Sequence, residues 1–100
     1  MADFRLLIKE EFKGLLYLLF FTEDCAICTA TEARINEIMQ DEHFNHENLL
    51  IVPKDYFSWV AMVKKYRPRG YPCLIKTFDS KFVESYSGDN IIKIFKTGLV

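Results

Sequence analysis

Seven consecutive apolar residues, Leu15-Leu16-Tyr17-Leu18-Leu19-Phe20-Phe21, lead within three more residues to a cysteine pair, Cys25-Ala26-Ile27-Cys28. An unbroken apolar run of this length signals a strand buried on both faces, so other elements must cover the sheet from both sides. It is too short to span a bilayer, which takes about 20 apolar residues. From Cys25 to about Met39 the apolar positions Ile27, Ala30, Ala33, Ile35, Ile38 and Met39 recur at roughly helical spacing. Two thiols on one helical turn can close a disulfide with little backbone movement. A thiol at a helix N-terminus also feels the positive end of the helix dipole, which favours thiolate. Strand, CxxC, then helix is the arrangement that thiol–disulfide exchange needs.

The rest of the chain supplies the layers such a strand requires. Asp3 caps a predicted helix with Phe4, Leu7, Ile8 and Phe12 on one face and Gly14 as its stop. After a polar loop, Gln40–Asn48, the run Leu49-Leu50-Ile51-Val52 reads as a second buried strand ended by Pro53. Phe57 to Tyr66 reads as an amphipathic helix ended by Arg67-Pro68-Arg69-Gly70, with Trp59, Phe57 and Tyr56 packing its core-facing side. Cys73–Phe78 reads as a strand, Asp79-Ser80-Lys81 as a tight turn, and Phe82–Tyr86 as its antiparallel partner. Ser87-Gly88-Asp89 caps a last helix, Asn90 to Thr97, with Ile91, Ile92 and Phe95 inward and Gly98 at its end. Strand–helix–strand implies a parallel pair with a right-handed crossover, and the closing hairpin adds an antiparallel edge. The expectation is one α/β domain over residues 1–100: a four-stranded mixed sheet with helices on both faces.

Composition narrows the class of function. Half of the 100 residues are hydrophobic, enough for a packed core. Thirteen basic against fourteen acidic residues leave a net charge of −1, so neither nucleic acid nor an anionic membrane is implied as partner. The local basic run Lys64-Lys65-Tyr66-Arg67-Pro68-Arg69 reads as the solvated end of a helix and the turn after it. The segment before Leu15 mixes acids and bases and is followed by no small-residue cleavage site, unlike a signal peptide. Three cysteines cannot all pair within one chain, which argues against a secreted disulfide scaffold. The expected compartment is the cytoplasm, where a CxxC is redox-active or metal-binding rather than a structural staple.

Three motifs make the chain resemble the thioredoxin-like superfamily. They are the strand leading into Phe20-Phe21-Thr22-Glu23-Asp24-Cys25-Ala26-Ile27-Cys28, the segment Tyr66-Arg67-Pro68-Arg69-Gly70-Tyr71-Pro72, and Tyr86-Ser87-Gly88 before the last helix. The resemblance runs from about residue 15 to the C-terminus and implies a cis-proline, Pro72, opposite the CxxC. There are departures. The family's usual Trp before the first cysteine is Asp24, and its Gly-Pro between the cysteines is Ala26-Ile27. Thioredoxin proper carries a buried Asp on the strand before the motif that helps take the proton from the second thiol, and the matching position is Leu19. The family's first strand is also missing from the pattern.

The resemblance implies a protein thiol–disulfide oxidoreductase. Cys25 attacks a target disulfide as thiolate, and Cys28 resolves the mixed disulfide. Ala26, Ile27, Tyr71 and Pro72 are its expected substrate-binding residues, with Tyr71 offering backbone groups to the substrate as an added strand. Phe20, Phe21, Ala26 and Ile27 are expected to form an apolar rim around Cys25. Helix amides lower the pKa of Cys25, whereas Asp24 and Glu23 raise it, so a reductase-like thiol is expected rather than a strong oxidant. The partners implied are a disulfide-bearing protein substrate and a reductant, and the protein is expected to be a monomer. No cofactor is implied. Structural zinc wants four Cys or His ligands, and His43 and His46 sit on the loop beyond the long helix, roughly 22 Å from the CxxC. Cys73 is expected to be a core or semi-buried cysteine. The alternative function is a non-catalytic binding or adaptor module with a vestigial CxxC, kept open by Leu19.

Overall fold

The apolar run becomes an interior strand of the sheet, as its lack of polar alternation requires. Along the chain come β1 (Leu15–Phe20), α1 (Ala26–Met39), β2 (Leu49–Ile51), α2 (Tyr56–Tyr66), β3 (Cys73–Phe78), β4 (Lys81–Tyr86) and α3 (Asp89–Lys96). A computed structural model describes residues 13–44, 46–52 and 56–99, with the side chains of residues 56–58 left aside. The helix expected after Asp3, the stop at Pro53 and the packing of Tyr56 and Phe57 lie outside the described residues.

The sheet order is β2-β1-β3-β4. β1 runs parallel to β2 and antiparallel to β3, and β3 pairs antiparallel with β4. The expected parallel pair and closing hairpin are therefore both present. Successive β1 side chains point to opposite faces. Tyr17 and Leu19 join Cys28 and Ile35 of α1 and Ile91, Ile92 and Phe95 of α3 in one core. Leu16, Leu18 and Phe20 join Met62 and Tyr66 of α2 in the other, together with Leu50, Val52 and Ile75. The result is a four-stranded mixed sheet with α1 and α3 on one face and α2 on the other.

Turns and caps set the ends. Asp79 and Ser80 both have positive φ, +50° and +65°, which makes a two-residue hairpin turn of the kind that matches strand twist. The Asp79 carboxylate accepts the Gly14 N–H at 2.8 Å while the Asp79 N–H donates to the Gly14 carbonyl at 3.0 Å. That pair ties the start of β1 to the hairpin. α3 begins one residue earlier than the pattern predicts, with Gly88 as N-cap at φ +57°, a conformation that glycine adopts without a Cβ penalty.

Two expectations change. In α1 the inward stripe is Cys28 and Ile35, flanked by Ile38 and Met39, whereas Ile27, Ala30 and Ala33 are exposed. At about 100° per residue Ala30 and Ala33 point away from Ile35, whereas Ile27 lies on the side of Ile38 and is exposed in the first turn, where it lines a groove rather than the core. The loop after α1 is not simply polar, because Phe44 stacks on Phe95 with ring centroids 5.9 Å apart.

Candidate active site

β1 ends beneath the loop that carries the cysteines. Asp24 takes a left-handed conformation, φ +52°, and turns the chain into α1. Cys25 is the N-cap of α1, with extended backbone, and its Sγ accepts the Cys28 N–H at 3.1 Å. Its carbonyl accepts the Thr29 N–H at 3.1 Å. Cys25 thus occupies the place where a helix leaves N–H groups without intrahelical partners. The two cysteine sulfurs are joined as a disulfide, with Cα atoms 5.2 Å apart.

The two thiols differ in surroundings. Cys25 is half-buried and Cys28 is buried among Leu19, Tyr17 and Ile91. Leu19, at the position where the resemblance would place a carboxylate, is fully buried in that same cluster. Leu19 itself offers no group to take the proton of the inner thiol.

The Tyr71–Pro72 peptide bond is cis. Pro72 lines a groove of about 380 Å³ with Ile27, Tyr71, Tyr86 and Gly88, so the loop ahead of β3 and the loop ahead of α3 meet the first turn of α1. Ile27 is 66% exposed and supplies the apolar surface there. The expected rim of four residues is reduced to Ala26 and Ile27. Phe20 and Phe21 are both buried, because the in-and-out alternation of β1 continues one residue past its end and sends each into a different core.

Trp59 belongs to this neighbourhood, a role that its helical periodicity could not reveal. Its Nε1 donates to the Phe21 carbonyl at 2.9 Å, and its ring leans on Tyr71 with centroids 5.5 Å apart. One side chain of α2 thus braces both the loop to Cys25 and the residue before Pro72. Arg69 also lines the groove. Cys73 follows Pro72, is buried in the α2 core, and its thiol is pushed up by burial, with an Arg69 backbone hydrogen bond acting the other way. Burial also raises the Tyr71 phenol, and the neighbouring Cys73 adds to it. His43 is exposed with Glu42 3.6 Å away, and His46 packs its ring against Phe44. Among the described residues no three His, Cys, Asp or Glu side chains converge on one point. No helix among them is long and apolar enough to cross a membrane.

No protein-family model and no curated protein matches the sequence. Solved structures do match the fold. The chain is similar to the germline-specific thioredoxin Deadhead of Drosophila melanogaster, with TM-score 0.62 and 16% identity over 88% of this chain and 83% of that one. It is similar to a thioredoxin of Schistosoma mansoni, with TM-score 0.66 and 17% identity over 97% of this chain and 90% of that one. Mitochondrial thioredoxin 3 of Saccharomyces cerevisiae aligns with TM-score 0.63 and 19% identity over 96% and 85% of the two chains. At these identities the likeness establishes the fold, which is thioredoxin-like.

Proposed function

We propose that this thioredoxin-like chain is a thiol–disulfide oxidoreductase that reduces protein disulfides through Cys25 and Cys28. The observation that carries the reading is the bonded cysteine pair at the N-terminus of α1, its outer sulfur accepting a helix N–H and Ile27 between the two cysteines lining an open groove with Pro72. In the reduced protein, that N–H and the helix dipole favour a Cys25 thiolate. The thiolate attacks one sulfur of a target disulfide. The target S–S bond breaks, its leaving sulfur takes a proton, and a Cys25–target mixed disulfide forms. Cys28, deprotonated in turn, attacks Cys25 Sγ and releases the second target thiolate. Two electrons have passed to the target, and the protein holds the Cys25–Cys28 disulfide until a dithiol reductant restores it.

Ala26, Ile27, Tyr71 and Pro72 form the substrate surface in this reading, with Tyr71 presenting backbone to an extended segment. The protein works as a monomer in a reducing compartment, the cytoplasm, where an odd number of cysteines is tolerated. It contributes there to redox homeostasis and uses no cofactor.

The second reading is a binding or adaptor module that shares the fold and does not turn over. Leu19 favours it, because an apolar wall around Cys28 raises the cost of forming the resolving thiolate. An insulin-reduction assay with dithiothreitol, on wild type and Cys25→Ser, separates the two. The oxidoreductase reading expects wild type to accelerate reduction and Cys25→Ser to leave only the uncatalysed rate. Equal traces for both proteins would establish the adaptor.

A further inference from the structure

The groove beside Pro72 continues past it. It shares Arg69 and Ser85 with a second hollow of about 580 Å³, so the two form one trough along the outer part of the α2 face. Ile75 lies in this second hollow with Tyr66, Phe82 and Arg67. α2 packs on this face of the sheet through Met62 and Tyr66, the Tyr66 hydroxyl donating to the Ser80 carbonyl of the hairpin at 3.3 Å, and β4 at the sheet edge leaves Phe82 57% and Val83 49% exposed.

The charge of the trough follows from strand register. Ser85 pairs with Ile75, so both side chains face α2. Glu84 pairs with Lys76 and belongs to the opposite face, where its Oε2 accepts the Tyr86 hydroxyl at 2.9 Å. Glu84 borders the hollow, but its carboxylate is held on the other side of the sheet. Asp79, at the hairpin, accepts the Gly14 N–H. Arg67 and Arg69 are then the charged side chains left for the trough, with Lys64 and Lys65 of the last turn of α2 close behind in sequence. Between Tyr56 and Phe78 the chain carries Lys64, Lys65, Arg67, Arg69 and Lys76, and all fourteen carboxylates lie elsewhere. Of these cations Arg67 and Arg69 line the trough, whereas Lys76 shares the opposite face of the sheet with Glu84.

We propose that this trough is an extension of the substrate site that selects acidic partners: an extended, disulfide-bearing segment leaves the groove between Ile27 and Pro72 and sets carboxylates on Arg69 and Arg67, with an apolar side chain against Phe82. Guanidinium groups match carboxylates in a planar, bidentate way, and charges at a rim speed encounter more than they deepen affinity. The proposal rests on the oxidoreductase reading for what happens at Cys25, while the charge preference stands on the trough itself.

The test separates the two. Binding is read by fluorescence anisotropy on the Cys25→Ser, Cys28→Ser protein, with short labelled peptides that carry an internal disulfide flanked by either two glutamates or two lysines. The acidic peptide is expected to bind roughly fivefold more tightly at low salt, and high salt should erase the difference. Charge reversal, Arg67→Glu with Arg69→Glu, is expected to invert the preference, an outcome that misfolding would not produce. Equal binding of the two peptides, or a preference that survives charge reversal, overturns the proposal. So does a single-stranded oligonucleotide that displaces the acidic peptide at equal concentration, since the surface would then read phosphate. In parallel, wild type is assayed on the neutral hydroxyethyl disulfide. Acidic preference without reduction keeps the trough and removes the oxidoreductase. Reduction without acidic preference does the reverse.

Discussion

Three cysteines share one chain and have three different environments. Cys25 caps a helix at the surface, Cys28 sits under it in one core, and Cys73 is buried in the other. Burial raises the Cys73 thiol, so it stays protonated at neutral pH and is a poor nucleophile there. A group raised on folding stabilises the fold below its unfolded pKa. That contribution disappears as the pH climbs through the folded value. In the reduced protein, iodoacetamide at neutral pH should therefore label Cys25 first, while Cys73 reacts only in alkali or after unfolding. Mass spectrometry of timed quenches reads the order. Early labelling of Cys73 would contradict its buried position.

At the scale of elements, the site is held by side chains that cross between them. Trp59 of α2 reaches the Phe21 carbonyl after β1 and the Tyr71 ring before β3. Trp59→Phe retains a ring against Tyr71 and loses the Nε1 donor. The expected cost is about 0.5–1.5 kcal/mol in urea unfolding, with slower disulfide reduction because the loop to Cys25 loses its brace. Lost stability with an unchanged rate would confine Trp59 to the core. The sequence gives Trp59 a place on the inner side of a helix and no more. Its partner carbonyl is 38 residues away, and no local period encodes that.

For the whole molecule, the decisive fact is that β1 is buried on both faces and divides two cores. Leu18 and Leu19 are adjacent, equally buried, and belong to different ones. Leu18→Ala and Leu19→Ala should each cost about 2–5 kcal/mol by leaving a cavity. They should differ in chemistry, because only Leu19 packs in the cluster that holds Cys28. Leu19→Ala is expected to change the alkylation rate of Cys28 in the folded protein, and Leu18→Ala to leave it as it was. Identical rates would show that the Leu19 wall does not govern the inner thiol.

What the sequence determined by itself is local: a seven-residue apolar run, a CxxC at a helix start, a Tyr-Pro, a glycine before the last helix. Each is a property of a few neighbouring residues, and short-range sterics and periodicity suffice to place them on strand, helix or turn. Strand order is partly legible too, since a helix between two strands demands a parallel crossover. The tertiary structure decided which apolar groups stay outside. Phe20 and Phe21 are hidden and Ile27 is exposed, although all three are equally apolar, because burial depends on what lies across the gap. It also decided the company of the CxxC. Ile27, Pro72, Arg69 and Gly88 meet around one groove only after the sheet has brought together residues as far apart in the chain as Ile27 and Gly88, and Trp59 braces the loop beside it. Pairings at that range are set by packing of the two cores, which no short stretch of sequence contains.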